Sequence, residues 1–320
     1  MISYAQNAED VVLARLFRTQ SEGRYVDVGA GDPVEDSVTK HFYEKGWSGI
    51  NIEPVPELAD RLRKARPRDV TLQLALGATK GKATLHVVPD AWGRATLDER
   101  LAQRYRERER WRVEDVETEI TTLAAVLDEH PGDVDFLKVD VEGAEREVFE
   151  GADWTRHRPR VLLVEATEPG SPTPAHEQWE PILLDAGYRC ALFDGLNRFY
   201  AQADDEEALA CLSVPANVFD EFERHEVARM REQAEKTAVA RAGESGYIRR
   251  LEQRLQQEQK ERERDAAYLA TLEKAVEAER RHAAKAARYF SALEKRIAEL
   301  EAAARTSAQY IAMLENKLNQ

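Results

Sequence analysis

The chain has 320 residues, with 46 Lys and Arg against 60 Asp and Glu, a formal net charge of −14. That acidic balance speaks against general nucleic-acid binding, which favours clustered basic charge. Hydrophobic residues, at 42%, suffice for a core, while a charged share of 33% exceeds that of an ordinary globular domain and points to a long solvated helix. No run approaches the roughly 18 apolar residues of a membrane span. The start, MISYAQNAEDVV, has neither a basic nor an apolar leader segment. Cys190 and Cys211 show no metal-type spacing and make no disulfide framework, so a reducing, cytoplasmic setting is expected.

In chain order, Ser3, Gln6, Asn7 and Asp10 recur at helical spacing and give the first helix one polar face. That face either caps a ligand or meets water. The first strand, RYVDV at 24–28, runs into VDVGAGDP, where Gly29 and Gly31 permit a sharp turn and close backbone approach to a ligand. A dinucleotide-binding turn wants a third glycine at position 34, where this chain has Val34. Asp27, Asp32, Glu35 and Asp36 crowd the turn; they repel a pyrophosphate but tolerate a ligand bearing a cationic sulfonium and an ammonium. Ser37, in SVT at 37–39, is placed to cap the following helix near that ligand.

The second strand, SGINI at 48–52, delivers Glu53, 24 residues after Gly29, where a carboxylate can accept both hydroxyls of a ribose. A helical PELADRLRKA follows, then a strand, VTLQLAL, at 70–76. RYRERERWR at 104–112 reads as a solvated amphipathic helix, with a phosphate-holding arginine cluster as the alternative. The strand FLKVDV at 136–141 then places Asp140, Glu142 and Glu145 where a buried strand ends. RVLLVEA at 160–166 ends in Glu165 and Thr167, and YRCALF at 188–193 is followed by a hairpin-like turn, DGLNRFY, with Asp194, Asn197 and Arg198. These groups either border an acceptor or serve turn chemistry. Near-continuous apolar strands separated by helices predict an α/β fold with a mostly parallel sheet, and such sheets bind ligands at their strands' carboxyl ends.

SVPANVFDEFE at 213–223 closes the globular text, and ARAGESG at 240–246 breaks the helical text. From Leu251 and Leu255 through Glu258, Arg262 and Asp265 to Leu269, Leu272 and on to Leu318, steps of four and three alternate without a slip. This 3.5-residue period predicts a coiled coil, on the order of 100 Å long, weak near Asp265 and strong from Phe290 to Leu318. The expected division is a globular domain over 1–222, a helical linker over 223–246 and a coiled coil over 247–320 that joins copies of the chain.

SYAQNAEDVVLARLF, YVDVGAGDP, SVTKHFYEKGWSGINIEPVPE, ALG, DFLKVDVEGAEREVFEG and FDGLNRFY together resemble the FkbM-type family of S-adenosylmethionine-dependent methyltransferases over about 1–222. The resemblance implies a Rossmann-like class I methyltransferase fold that binds S-adenosylmethionine and methylates an oxygen, often on a sugar in glycan or natural-product pathways. Carried over by position, Asp27, Gly29 and Gly31 form the methionine-side turn, Glu53 takes the ribose, and Ala75 and Leu76 border the adenine. Gln6 and Asp10 are then the cofactor-side members of the first helix, and Gly31-Asp32-Pro33 departs from the usual family text.

Methyl transfer to a hydroxyl requires alignment and removal of a proton from a weak acid, so Asp140 and Glu142 are the candidate catalytic groups. A shared Mg²⁺ is the alternative, not favoured because only two ligands are apparent. The expected function is O-methylation of a sugar in surface-glycan assembly, with the helical tail assembling the enzyme or positioning it beside a membrane-associated glycan complex and its assembly proteins. An inactive coiled-coil scaffold is the runner-up, and a dinucleotide oxidoreductase, weakened by Val34 and the acidic turn, is third.

Overall fold

Seven strands build the main sheet of the computed structural model, which describes residues 1–240 and 245–318. They are β1 (Arg24–Val28), β2 (Ser48–Ile52), β3 (Val70–Leu72), β4 (Phe136–Val139), β5 (Val161–Glu165), β6 (Tyr188–Phe193) and β7 (Asn197–Gln202). Their spatial order is β6-β7-β5-β4-β1-β2-β3, and only β7 runs antiparallel to its neighbours. The chain leaves β1 toward β2 and β3 on one side and returns to β4 on the other. The gap between β1 and β4 is therefore the switch point where open α/β sheets bind ligands. This is the Rossmann-like methyltransferase arrangement.

Both faces of the sheet are covered, which is why its strands read as apolar runs. On one face Val26, Val28, Ile50, Leu137, Val139 and Leu162 pack with Leu123, Val126, Phe149 and Trp179 of the helices beyond. On the other, Tyr25, Phe136, Leu163 and Phe199 pack with Leu13, Phe17, Phe42, Trp47 and Leu209. The helices in these two clusters are α1 (Glu9–Leu16), α2 (Lys40–Glu44), α5 (Leu123–Glu129), α6 (Glu145–Glu150), α7 (Glu180–Asp185) and α8 (Glu206–Leu212), while α3 (Pro56–Ala65) and α4 (Glu99–Arg104) join smaller clusters through Leu58 and Leu101.

The structure departs from the sequence reading at three places. The run at 70–76 splits: Val70–Leu72 stays in the main sheet, and Ala75–Leu76 joins a separate three-stranded sheet with Gly81–Val87 and Glu114–Thr121. The turn read at 194–200 is shorter than expected. The Asp194 carboxylate accepts from the backbone N–H of Leu196 and Asn197, at 2.9 and 2.7 Å, and β7 starts at once. The arginine-rich helix stops at Arg104, where a wider turn, Tyr105–Glu109, takes over. Tyr105 is buried and packs on Trp111, ring centroids 5.2 Å apart, so the chain must fold back to seal that aromatic pair. Arg104 donates to the Pro169 carbonyl and Arg106 pairs with Glu99 and Asp115.

Two compact units are resolved, Met1–Gln233 and Ala234–Gln320. Helix α9 (His225–Ala240) follows the sheet domain. The second unit is dominated by α10 (Ser245–Leu318), 74 residues long. Leu269, Leu272, Val276, Phe290, Leu293, Ile297, Leu300, Ile311 and Leu314 of the heptad seam are all exposed along it. No described helix is long and apolar enough to cross a membrane.

Candidate active site

A cavity of about 670 Å³ opens over the carboxyl ends of β1, β2, β4 and β5. Its floor is the turn after β1. The Gly29 and Ala30 amides donate to the Ile52 carbonyl at 2.9 and 3.2 Å, folding the turn over the end of β2. Gly29 has φ +74°, and a Cβ there would lie 1.8 Å from the Asp140 carbonyl oxygen, so only glycine fits. Gly31, at φ +63°, has nothing within 4 Å of a built Cβ; its requirement is the left-handed backbone alone.

Glu53 is only 4% exposed, and its carboxylate accepts from the Gly31 and Val55 amides, both at 2.8 Å. Burial pushes this carboxyl up to about 7 against the pull of those two N–H groups. Each of its oxygens keeps one lone pair for a further donor. Next to it, Ala75, Leu76, Leu58, Leu74 and Leu85 make an apolar compartment. Of these, only Ala75 and Leu76 were legible from the sequence; the helical spacing of Leu58 and Leu62 was the available clue to α3.

Under the turn lies Lys138. Its Nζ donates to the Gly29 carbonyl at 2.7 Å and stands 3.4 Å from both Asp27 Oδ1 and Asp140 Oδ2. Burial disfavours this cation, but the carboxylates of Asp27 and Asp140 outweigh it and hold its pKa above the ordinary lysine value. Sequence reasoning passed over Lys138, whose signal was a charge inside an apolar strand. Asp27 does not line the cavity. Its Oδ2 accepts from the Thr39 hydroxyl at 2.7 Å, and Thr39 in turn accepts from buried Arg66 at 2.7 Å.

Ser37 and Asp10 are also set back from the cavity. Helix α2 starts at Lys40 with no side-chain cap, and the Ser37 hydroxyl instead accepts from Arg66 Nη2 at 2.6 Å. Asp10 spends its carboxylate on the Ser3 hydroxyl and the Tyr4 amide, at 2.6 and 2.7 Å, fixing the segment before α1. Gln6 does line the cavity. Its neighbour Glu9 is buried, accepting from Asn197 Nδ2 at 2.6 Å and the Asn7 amide at 2.8 Å.

Asp140 and Glu142 meet at the same cavity, as does Glu165 at the end of β5. Glu142 has a left-handed backbone, φ 54°, rare for a side chain with a Cβ and a frequent mark of functional sites. The conformation is held from two sides. Thr96 donates its hydroxyl to the Glu142 carbonyl at 2.8 Å, and Glu145 Oε1 accepts from the Val141 and Gly143 amides at 3.1 and 3.2 Å. Burial, then the Asp140 charge, pushes the Glu142 carboxyl up to about 8, with Arg94 opposing. Among the described residues no group of three or more His, Cys, Asp or Glu is arranged to hold a metal ion.

A family model described as the methyltransferase FkbM domain matches residues 27–190, just over half of the 320-residue chain. The chain belongs to the FkbM methyltransferase family. The matched span covers the β1 turn, Glu53, Asp140 and Glu165. No curated protein matches this FkbM chain. Solved structures that it resembles include the O-methyltransferase from Bacillus cereus in complex with SAH, at 12% identity and TM-score 0.35, over 61% of this chain and 80% of that one. Another is a TehB-like SAM-dependent methyltransferase from Corynebacterium glutamicum, at 8% identity and TM-score 0.33, over 60% and 87%. A third is a precorrin-6y C5,15-methyltransferase from Geobacter metallireducens, at 14% identity and TM-score 0.32, over 61% and 87%.

The FkbM domain also carries a pH signature. Burial raises Glu9 and Glu53 to about 7, Asp10 to about 6 and Glu142 to about 8. Each holds its proton longer folded than unfolded, so the stability they allow is complete below about pH 4 and is lost as pH rises through their folded values. Carboxyls lowered by arginine, such as Asp205 and Asp220, act in the opposite sense and only below that window. The melting temperature is therefore expected to fall between pH 5 and pH 8. A flat or rising profile in calorimetry contradicts this.

Proposed function

We propose that this FkbM methyltransferase transfers the methyl group of S-adenosylmethionine to a sugar hydroxyl, with Asp140 and Glu142 as the acid–base groups. The residues present fit that donor. Glu53 offers two free lone pairs to ribose hydroxyls, the compartment at Ala75 and Leu76 suits a flat base, and Gly31 leaves open room at the turn. Asp27, Ser37 and Asp10 act from behind, holding the turn and the first helix in place, while Gln6 faces the ligand. When bound, the donor supplies an electrophilic methyl group on a cationic sulfur.

The observation that carries the reading is Lys138. One ammonium group ties the Gly29 carbonyl of the donor turn to the Asp140 carboxylate, fixing the base relative to the donor. Proximity of that kind is where such catalysis gains most. Asp140 takes the acceptor proton, and Glu142, held in its unusual backbone conformation, orients the acceptor. A carboxyl-rich cavity wall with Thr167 and Ser171 suits a neutral, hydroxyl-bearing acceptor better than an anionic one. The setting inferred is surface-glycan assembly in the cytoplasm, next to glycan-assembly proteins.

Calorimetry with S-adenosylmethionine tests the donor site. Glu53→Gln, which offers the ribose one acceptor fewer, is expected to weaken binding about tenfold. Unchanged affinity removes Glu53 from the site. Residues 247–320 are read as the assembly element of the enzyme. In light scattering the full chain is expected to run as an oligomer and the fragment 1–240 as a monomer that still binds the donor. A full chain that stays monomeric at micromolar concentration contradicts the assembly role.

A further inference from the structure

We propose that Glu165 is a positioning residue of this site: it stays protonated at neutral pH and grips the Asp140 carboxylate through a carboxylic acid–carboxylate hydrogen bond. The proposal rests on the methyl-transfer reading and adds a residue that it leaves unused. Strands β4 and β5 are parallel with Val139 opposite Val164, so the next residues, Asp140 and Glu165, leave the sheet side by side. Neighbouring strands lie about 4.8 Å apart. Both side chains line the cavity.

Two carboxylates that close do not both ionise cheaply. The surroundings decide which one keeps the charge. Asp140 has Lys138 Nζ at 3.4 Å, whereas no cation lies within ion-pair distance of Glu165 among the described residues. From the β4 side Glu165 faces Asp140, Glu142 and Glu145, with Arg94 acting on Glu142. From the β7 side it pairs in register with Asn197, whose amide is committed to buried Glu9. Asp36, across the cavity, adds another negative charge near Asp140. Burial, then the charges of Asp140, Glu142 and Glu145, push the Glu165 carboxyl well above its ordinary value. The backbone beyond Glu165 is pinned by the Ala166 amide donating to the Leu196 carbonyl at 2.9 Å.

The pair thus holds one proton and one negative charge. As the acceptor oxygen gains its methyl group, its proton goes to Asp140, and the electron pair of the broken S–C bond stays on sulfur. The pair ends with two protons and no charge. A second anion beside Asp140 is avoided throughout, and the carboxylate keeps one orientation toward the incoming hydroxyl.

The test is carbon-13 NMR of the full chain carrying carboxyl-labelled glutamate, as wild type, Glu165→Gln and Asp140→Asn, with S-adenosylhomocysteine titrated into each. A glutamic-acid resonance is expected to persist in the wild type above pH 9, where Glu142 has already ionised, to vanish in Glu165→Gln, and to titrate at least about one unit lower in Asp140→Asn. Glu165 ionised at pH 7, or a midpoint indifferent to Asp140, overturns the proposal. Turnover is followed with labelled S-adenosylmethionine on polysaccharide from a strain lacking this chain. Glu165→Gln, which still donates a hydrogen bond, keeps kcat within about threefold, and Glu165→Ala loses about 10²-fold with donor affinity unchanged. Equal loss in the two variants overturns the positioning role; if the alanine variant fails to fold, the NMR titration alone decides. Absence of S-adenosylhomocysteine binding by the wild type defeats the donor reading instead and leaves the protonation result standing.

Discussion

With Asp140 as the proposed base, Asp140→Asn is expected to lower kcat by about 10²–10⁴-fold while donor affinity stays within a few-fold, because the amide keeps the shape but cannot accept the proton. Asp140 supports little of the fold. Its side chain is 37% exposed, and among the described residues its one ion pair is the 3.4 Å approach to Lys138, which retains Asp27 and the Gly29 carbonyl after the substitution. The melting temperature should therefore barely move, which separates lost chemistry from lost structure. Single-turnover rates with saturating S-adenosylmethionine check this. A loss smaller than about tenfold assigns proton removal to Glu142 or to water.

Gly29→Ala is expected to abolish donor binding. The new methyl meets the Asp140 carbonyl oxygen at 1.8 Å and the backbone sits at φ +74°, so the turn must open. Opening it pulls the Gly29 carbonyl off Lys138 and the Gly31 amide off Glu53 together. Gly31→Ala is the control. With nothing within 4 Å of the added methyl, it suffers only the left-handed backbone cost, about 1–2 kcal/mol, or roughly a tenfold loss of affinity. Calorimetry on the two variants should show no measurable binding for the first and weakened binding for the second. Equal effects contradict the clash argument.

Much of this was legible in the sequence because the fold imposes it. The strands at 24–28 and 48–52 read to the residue, since burial on both faces demands unbroken apolar text there, and the half-exposed edge strand at 188–193 read as well from its apolar and aromatic residues. β7 was hidden because Asp194 and Gly195 announce a turn more loudly than Asn197 to Tyr200 announce a strand. The strand Glu114–Thr121 was hidden because its charged residues, Glu117 and Glu119, alternate toward solvent on a sheet outside the main core. Within the site, strand-end logic placed Glu53, Asp140 and Glu142 around one cavity, since a residue's position past a strand end follows from local order. Asp27, Ser37 and Asp10 were read as ligand contacts, yet each turns inward to a partner distant in sequence or in an adjoining loop: Thr39, Arg66 and Ser3. Side-chain direction of that sort depends on tertiary partners. The same holds for Lys138, whose importance appears only when the β1 turn closes above it.

The most direct test of the account is a crystal structure of the full chain grown with S-adenosylhomocysteine. The account predicts the ribose hydroxyls on the Glu53 carboxylate, the base against Ala75 and Leu76, and the sulfur facing Asp140 within one cavity. Density for the nucleoside elsewhere on the chain, or no density at saturating concentration, contradicts it.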